Sequence, residues 1–292
     1  MIIRQIIMIV VLWLIVVIGQ AQKLPAYQIF NEKGKPISYA KMLRTLAKAD
    51  VVLFGELHNN PICHWLELQL LRDLHQEYDS LVLALEMFEA DNQLVLDEYL
   101  LGTIQEKHLL NEAKVWNNYA TDYQPLIELA KANDIPVVAS NIPRRYANLV
   151  YRRGLSALDS LSYEAQQWIA PLPITVDMQL ASYQEMLAMM GGGSHGGNTG
   201  EAENLVYAQA VKDATMAHFV LQQLPRPILH INGSYHSQDK EGIAWYLRQA
   251  QPDLVIMNIH SVEQAEIDKL LEENQTDADF TIGIPSDMTK TY

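Results

Sequence analysis

The hydrophobic positions fall into short unbroken runs, separated by longer stretches in which apolar residues recur every three or four positions. Unbroken runs are typical of strands buried on both faces, and the longer spacing is typical of helices. The predicted strands are residues 51–56, 81–85, 136–140, 228–232, 254–259 and 280–284. The predicted helices are residues 39–49, 61–78, 90–101, 123–133 and 203–224. This alternation predicts an α/β fold with a mostly parallel central sheet flanked by helices.

Two segments depart from the alternation. Residues 24–38 have turn chemistry and predict a short lead-in, and residues 143–224 contain no strand-like run. We expect the second segment to be a mostly helical insertion over the carboxyl edge of the strands. Within it, Gly191–Gly200 holds six of the 14 glycines, which predicts a mobile loop. His195 in this loop is expected to be solvated rather than to contact a ligand.

The first 21 residues have the pattern of a signal peptide. An apolar run of 13 residues, Ile6–Ile18, follows Arg4 and precedes the small residues Gly19 and Ala21. This length fits the hydrophobic part of a signal peptide and is short for a membrane span. We expect cleavage after Ala21, which leaves residues 22–292 as a single secreted or periplasmic domain. An uncleaved N-terminal anchor is the alternative.

Charge and cysteine content narrow the classes of partner. The chain has 21 basic and 35 acidic side chains, a net charge of −14, which disfavours nucleic acid and anionic membranes as general partners. Cys63 is the only cysteine and lies outside the signal segment, so neither an internal disulfide nor a lipoprotein anchor is expected. Its apolar neighbours predict a small buried side chain rather than a nucleophile.

Polar residues gather where the predicted strands end. The first strand leads into Gly55-Glu56-Leu57-His58, and the fourth leads into Gly233-Ser234-Tyr235-His236. Glu86 follows the second strand, and Asn141 and Arg144 follow the third. Because parallel strands bring their carboxyl ends to one edge of the sheet, where ligands bind in α/β folds, we expect these side chains to converge.

The convergent set is suited to more than one chemistry. His58, Glu86 and His236 could hold a divalent metal, and together with Glu56 they could provide the acids and bases of a hydrolase. Arg144 could pair with a carboxylate or phosphate of a ligand. A buried ion-pair network without a function is the alternative, although desolvation makes such a network costly.

One polar pair lies in the last helix of the insertion. Gln209 and Asp213 are four residues apart and therefore share a helix face. The pair points either at the edge of the sheet, where it would contact a ligand, or out to solvent beside Lys212. The sequence leaves both orientations open.

The motifs resemble the ChaN-like haem-binding family, which shares a wider superfamily with Tiki metalloproteases, TraB-type proteins and erythromycin esterases. The matching stretches, which follow the family's order, are residues 55–61, 85–88, 141–144, 208–217 and 233–236. The resemblance implies secretion, a role in iron or haem acquisition, and haem in a pocket roofed by the helical insertion. It leaves open whether two subunits of a homodimer share the haem.

The resemblance does not identify the ligand of the haem iron. Members of the family are thought to ligate the iron through tyrosine, and the motifs do not map that ligand onto one of the 14 tyrosines here. Tyr183 and Tyr207, both in the insertion, are the candidates. The expected ligand-binding residues are Glu56, His58, Glu86, Asn141, Arg144, Gln209, Asp213 and His236.

Two functions remain in competition. A haem site needs a large apolar slot, an axial ligand and basic groups for the propionates. A hydrolase needs a compact polar cluster with room for a water molecule. We expect an extracytoplasmic protein that binds haem or another anionic small molecule, with a cell-envelope partner that the sequence does not specify. The alternative is a metal-dependent hydrolase that uses His58, Glu86 and His236.

Overall fold

The computed structural model describes residues 24–191 and 199–292. The predicted signal peptide and residues 192–198 of the predicted loop, including His195, lie outside the described residues. The strands are β1 (Gln28–Asn31), β2 (Pro36–Ile37), β3 (Val51–Glu56), β4 (Val82–Glu89), β5 (Val137–Asn141), β6 (Ile228–Gly233), β7 (Ile256–Gln264) and β8 (Phe280–Pro285). The helices are α1 (Tyr39–Leu46), α2 (Pro61–Glu77), α3 (Gln93–Leu100), α4 (Glu106–Glu112), α5 (Gln124–Ala132), α6 (Arg144–Arg153), α7 (Tyr163–Gln166), α8 (Ala181–Gly191), α9 (Thr199–Leu221) and α10 (Ile243–Ala250). No described helix combines the length and apolar character that a membrane crossing requires.

The strands form one sheet in the order β2-β1-β8-β7-β3-β6-β4-β5. All pairs from β8 to β5 in this order are parallel, and β3 lies between β7 and β6. The predicted α/β class with a mostly parallel sheet is therefore confirmed. The parallel arrangement brings the carboxyl ends of β3, β4, β5 and β6 to the same edge.

Both faces of the sheet are covered by helices. Val52 and Phe54 of β3 pack in the core that contains α2, whereas Val51 and Leu53 pack in a second core with α9 and α10. This division follows from the alternation of side chains along a strand. Each such buried aliphatic or aromatic side chain contributes roughly 1.5–3 kcal/mol through removal of apolar surface from water.

Two features of the sheet differ from the prediction. Strand β4 does not end at Leu85 but continues to Glu89, because Met87 and Phe88 are also buried in the sheet. Glu86 therefore lies within the strand rather than after it. The pairing of β4 with β5 shifts register between Leu85 and Glu89. The segment predicted as a lead-in forms β1 and β2, which pair antiparallel at one edge of the sheet. Their short apolar runs gave no strand signal.

The described residues between β5 and β6 form helices and no strand. Helix α9 is 23 residues long and packs against α6, α10 and β5. This position carries Gln209 and Asp213 to the carboxyl edge of the sheet. Both side chains are buried there rather than exposed to solvent.

Candidate functional site

Four of the predicted site residues meet at the carboxyl ends of β3, β4 and β6. His236 Nε2 lies 3.2 Å from Glu86 Oε1, and the Gly233 N–H donates to Glu86 Oε2 over 2.7 Å. A Cβ added to Gly233 would lie 2.6 Å from His58 Nε2, so the His58 ring fills the space that the glycine leaves. Glu56 Oε1 lies 2.6 Å from His58 Nδ1 and completes the group.

His236 is the centre of a buried ion-pair network. Its Nδ1 lies 2.5 Å from Asp213 Oδ1, and the Gln209 amide lies 2.9 Å from the same nitrogen. Burial alone would lower the pKa of His236, but the charges of Glu86 and Asp213 outweigh it and raise this pKa to about 10. Burial would raise the pKa of Glu86, yet the charge of His236 lowers it to about 2. At neutral pH His236 is therefore a cation that donates to two carboxyl groups.

His58 belongs to a second network and is the member that solvent reaches. Its side chain is 34% exposed, whereas Glu56 is buried. Glu56 Oε1 also accepts a hydrogen bond of 2.6 Å from the Tyr123 hydroxyl. Burial opposes the charged form of His58, but the hydrogen bond to Glu56 and the charge of Glu86 raise the pKa of His58. The contact between His58 Nδ1 and Glu56 Oε1 fixes the orientation of the His58 ring.

The set proposed from the sequence as a metal site, His58, Glu86 and His236, is not arranged as one. Both ring nitrogens of His236 are engaged by Glu86 and Asp213, and His58 directs Nδ1 to a different carboxylate. In the described part of the chain, one set of three side chains offers ligand atoms within 4.8 Å of one another, and its members are Glu56, His64 and Glu67. The three side chains therefore take part in two paired networks in this structure.

A cleft of about 710 Å³ opens beside His58. Trp116 lines the cleft and packs edge-on against His58, with ring centroids 5.0 Å apart. Asn118 also lines it and donates to the His58 carbonyl over 3.1 Å. The apolar lining residues are Met87, Ala113, Val115 and Trp116, the cationic ones are Lys114, Arg144 and Arg145, and the acidic one is Glu89.

Of the two residues expected after the third strand, Arg144 lines this cleft and Asn141 does not. Arg144 opens α6, is exposed and lines the cleft rather than the His236 network. Arg145 pairs with Asp91 at 2.5 Å. Asn141 does not line the cleft, and its amide donates to the Glu86 carbonyl over 3.1 Å, which fixes the strand beside the site.

Neither tyrosine proposed as an iron ligand faces the cleft. Tyr183 is buried, and its hydroxyl donates to Asp213 Oδ2 over 2.8 Å. Tyr207 is half-buried and packs against the apolar cluster between α6 and α9. Both are occupied in packing the insertion, so they are not placed to reach a group in the cleft. The tyrosine that lines the cleft is Tyr292.

Several residues of the site had no assigned role in the sequence. Trp116, Asn118 and Tyr123 lie between α4 and α5, where a π-helical turn, Tyr119–Tyr123, precedes α5. The usable signal was the Trp-Asn-Asn-Tyr run at 116–119, since aromatic and amide side chains are concentrated there in a connection between helices. Their partners are about 60 residues away in sequence, for example in the Tyr123–Glu56 bond with a separation of 67.

Comparisons with known proteins agree with this architecture. A model of the haem-binding uptake family ChaN, of the Tiki superfamily, matches residues 42–247. The structure described as cofacial haem binding to ChaN of Campylobacter jejuni aligns at a TM-score of 0.68 and 21% identity, over 89% of this chain and 98% of that chain. A succinoglycan biosynthesis protein aligns at a TM-score of 0.51 and 12% identity, over 89% and 94% of the two chains.

A comparison with curated protein sequences finds no match. The structural likenesses establish the fold, and the family match extends over more than two thirds of the sequence. The match favours haem binding over the hydrolase alternative. The chain belongs to the ChaN family of haem-binding uptake proteins within the Tiki superfamily.

Proposed function

We propose that this protein binds haem outside the cytoplasm, in the cleft beside His58, and takes part in iron or haem acquisition. The observation that carries the proposal is the combination of apolar and cationic side chains in the lining of one cleft. Its volume of about 710 Å³ lies within the range of roughly 300–1,000 Å³ found for small-molecule sites. Family membership supports the same ligand.

The lining residues fit the two parts of haem. Met87, Val115 and Trp116 offer an apolar surface against which a flat macrocycle can pack. Lys114 and Arg144 offer cations for the propionate carboxylates, and arginine can bind a carboxylate through two parallel hydrogen bonds. Arg145 already pairs with Asp91, so it is the less available of the two arginines.

We propose Tyr292 as the axial ligand of the haem iron. It lines the cleft, and tyrosine is one of the side chains that proteins use to bind haem iron. Burial, followed by the charges of Glu56 and Asp122, raises the pKa of the Tyr292 phenol. The phenol therefore stays protonated in the free protein at neutral pH, and iron binding must displace this proton.

An absorbance titration with haem tests both proposals. The wild type is expected to give a saturable change in the Soret band, and Tyr292→Phe is expected to change the position and shape of that band because the phenolate is lost. Tyr163→Phe, at an exposed position on α7 outside the cleft, should reproduce the wild-type spectrum. A wild type without a saturable change would refute haem binding. An unchanged Tyr292→Phe spectrum would refute only the iron ligand.

The extracytoplasmic location rests on the apolar run Ile6–Ile18 and on the small residues Gly19 and Ala21. We expect the mature chain to begin at Gln22. Mass spectrometry of the protein recovered from the periplasm or medium should give the mass of residues 22–292. An intact Met1 in that fraction would contradict cleavage.

A further inference from the structure

Three buried side chains lie directly beneath His58. Glu56 ends β3, while His64 and Glu67 lie in the first two turns of α2. Their exposed fractions are 2%, 5% and 0%. His64 Nδ1 is 3.4 Å from Glu56 Oε2 and 3.5 Å from Glu67 Oε2. Helix α2 is fixed in this register because Pro61 opens it and Asn60 caps it through the Ile62 N–H.

The facing atoms of this cluster have no hydrogen-bond partner. These atoms are Glu56 Oε2, His64 Nδ1, and both Glu67 oxygens. Burying a polar atom without a partner costs free energy, and a buried carboxylate costs more than a neutral group. Most buried polar groups in folded proteins are satisfied. One ligand atom from each of the three side chains lies within 4.8 Å of the other two, which indicates that something else occupies the space between them.

The orientation of His64 is set from its other ring nitrogen. His64 Nε2 lies 3.2 Å from the His58 carbonyl oxygen and 3.3 Å from Asp122 Oδ2. Asp122 is itself held by the Asn118 amide over 2.7 Å. Nε2–H therefore donates, and Nδ1 faces the two glutamates. A carboxylate on the second nitrogen is the arrangement that orients metal-binding histidines.

We propose that Glu56, His64 and Glu67 bind a divalent transition-metal ion, with Zn²⁺ the ion that fits best. In a tetrahedral site with bonds of about 2.1 Å, ligand atoms lie about 3.4 Å apart, which the His64 separations match. One imidazole and two carboxylates suit zinc and its neighbours, whereas Ca²⁺ and Mg²⁺ prefer oxygen ligands alone. A doubly charged ion also balances two carboxylates.

The ion would act on the haem site without touching it. Glu56 uses Oε2 toward the cluster and Oε1 toward His58 Nδ1 and the Tyr123 hydroxyl. A bound ion keeps Glu56 ionised and immobile, and Glu56 in turn keeps the His58 proton on Nδ1. The three buried protein ligands would leave the fourth position of a tetrahedral site to a water molecule. This inference does not depend on haem binding.

A proton is the competing occupant. Burial and the charge of Glu56 raise the pKa of Glu67 well above its usual range. A protonated Glu67 could then donate to Glu56 and relieve the repulsion without any metal. A proton on His64 Nδ1 would do the same: burial opposes the charged form of His64, but hydrogen bonding to Glu56 and Glu67 raises its pKa to about 11. The two occupants make opposite predictions for the metal content of the purified protein.

The test is elemental analysis of the full chain, purified without added haem from zinc-supplemented medium. We expect about one Zn²⁺ per chain. Glu67→Gln should lower zinc affinity by more than about 100-fold. Asp122→Asn, which removes the carboxylate on His64 Nε2 but no proposed ligand of the metal, should lower it by about 10- to 100-fold. Glu86→Gln is the matched control, because it changes a buried glutamate at the same edge of the sheet and should retain the metal.

A second measurement covers the case in which Glu67→Gln does not fold. Stripped wild-type protein is titrated with Co²⁺ alone, which should give the strong visible d–d bands of a four-coordinate site, and Zn²⁺ should abolish these bands. Less than a tenth of an equivalent of metal, together with no d–d absorption, would show that a proton holds the cluster and would overturn the proposal. Haem binding in that same protein would leave the proposed function intact.

Discussion

His236→Ala is expected to destabilise the folded protein by about 3–5 kcal/mol near neutral pH. The imidazolium of His236 lies between Glu86 and Asp213, and all three side chains are buried. Alanine removes the cation and leaves two carboxyl groups without their partner in a low-dielectric environment. Urea unfolding at pH 6, analysed as the free energy of unfolding, measures the difference between the variant and the wild type.

The effect of His236→Ala on the free energy of unfolding should depend on pH in a way that an ion pair alone explains. The folded-state pKa of His236, about 10, exceeds the usual 6.5, so its stabilisation is complete below pH 6.5 and is lost as pH rises through 10. The folded-state pKa of Glu86, about 2, is below the usual 4.5, so its stabilisation is complete above pH 4.5 and is lost as pH falls through 2. The difference between wild type and variant should therefore be largest between about pH 4.5 and 6.5.

His218→Ala is the control for this experiment. His218 is on the same helix as Asp213 and is half-buried, but its pKa is lowered by burial alone, without a carboxylate partner. We expect His218→Ala to lower the free energy of unfolding by less than about 1 kcal/mol. If His236→Ala also lowers the free energy of unfolding by less than about 1 kcal/mol, and by the same amount at every pH, the network is not an ion pair.

Arg144→Glu is expected to lower haem affinity by about 10- to 100-fold. The substitution places a negative charge where a propionate would bind, and like charges at an interface cost from one to several kcal/mol. Arg144 is exposed in the first turn of α6, so the thermal midpoint should change little. The dissociation constant from the absorbance titration, taken at two salt concentrations, measures the effect.

Arg153→Glu serves as the matched control. It makes the same charge change on the same helix, but in the last turn and outside the cleft. If both variants reduce haem affinity equally, the effect comes from net charge, and Arg144 does not contact the ligand. If neither does, haem does not bind in this cleft.

The features that could be predicted from sequence are those set by local pattern and topology. Unbroken apolar runs identified the parallel strands, and parallel strands imply that residues at the carboxyl ends of β4 and β6 approach the same edge. Glu86 and His236 are 3.2 Å apart for this reason, although 150 residues separate them. The cleft could not be predicted, because Lys114 and Trp116 come from the connection between α4 and α5, whose path no periodicity specifies.

The buried cluster beneath His58 did leave a signal that could have been found. In α2 the buried positions include Leu66, Leu70 and Leu74, and His64 and Glu67 belong to the same buried face. Polar residues on a face that must be buried need partners, and the helical spacing of the sequence is enough to indicate this need. The identity of the partners could not be predicted, since Glu56 and Asp122 belong to other elements.

Gly233 constrains how this site can change over evolutionary time. Its φ of −57° and ψ of 141° are open to any amino acid, so the backbone does not require glycine. The requirement comes from His58, whose Nε2 would lie 2.6 Å from an added Cβ. The glycine of one motif thus makes room for the histidine of the other, so the residues allowed at the two positions depend on each other. In a relative that has a smaller residue in place of His58, the steric reason for glycine at position 233 is gone. Substitution at both positions would therefore mark relatives that have lost this site.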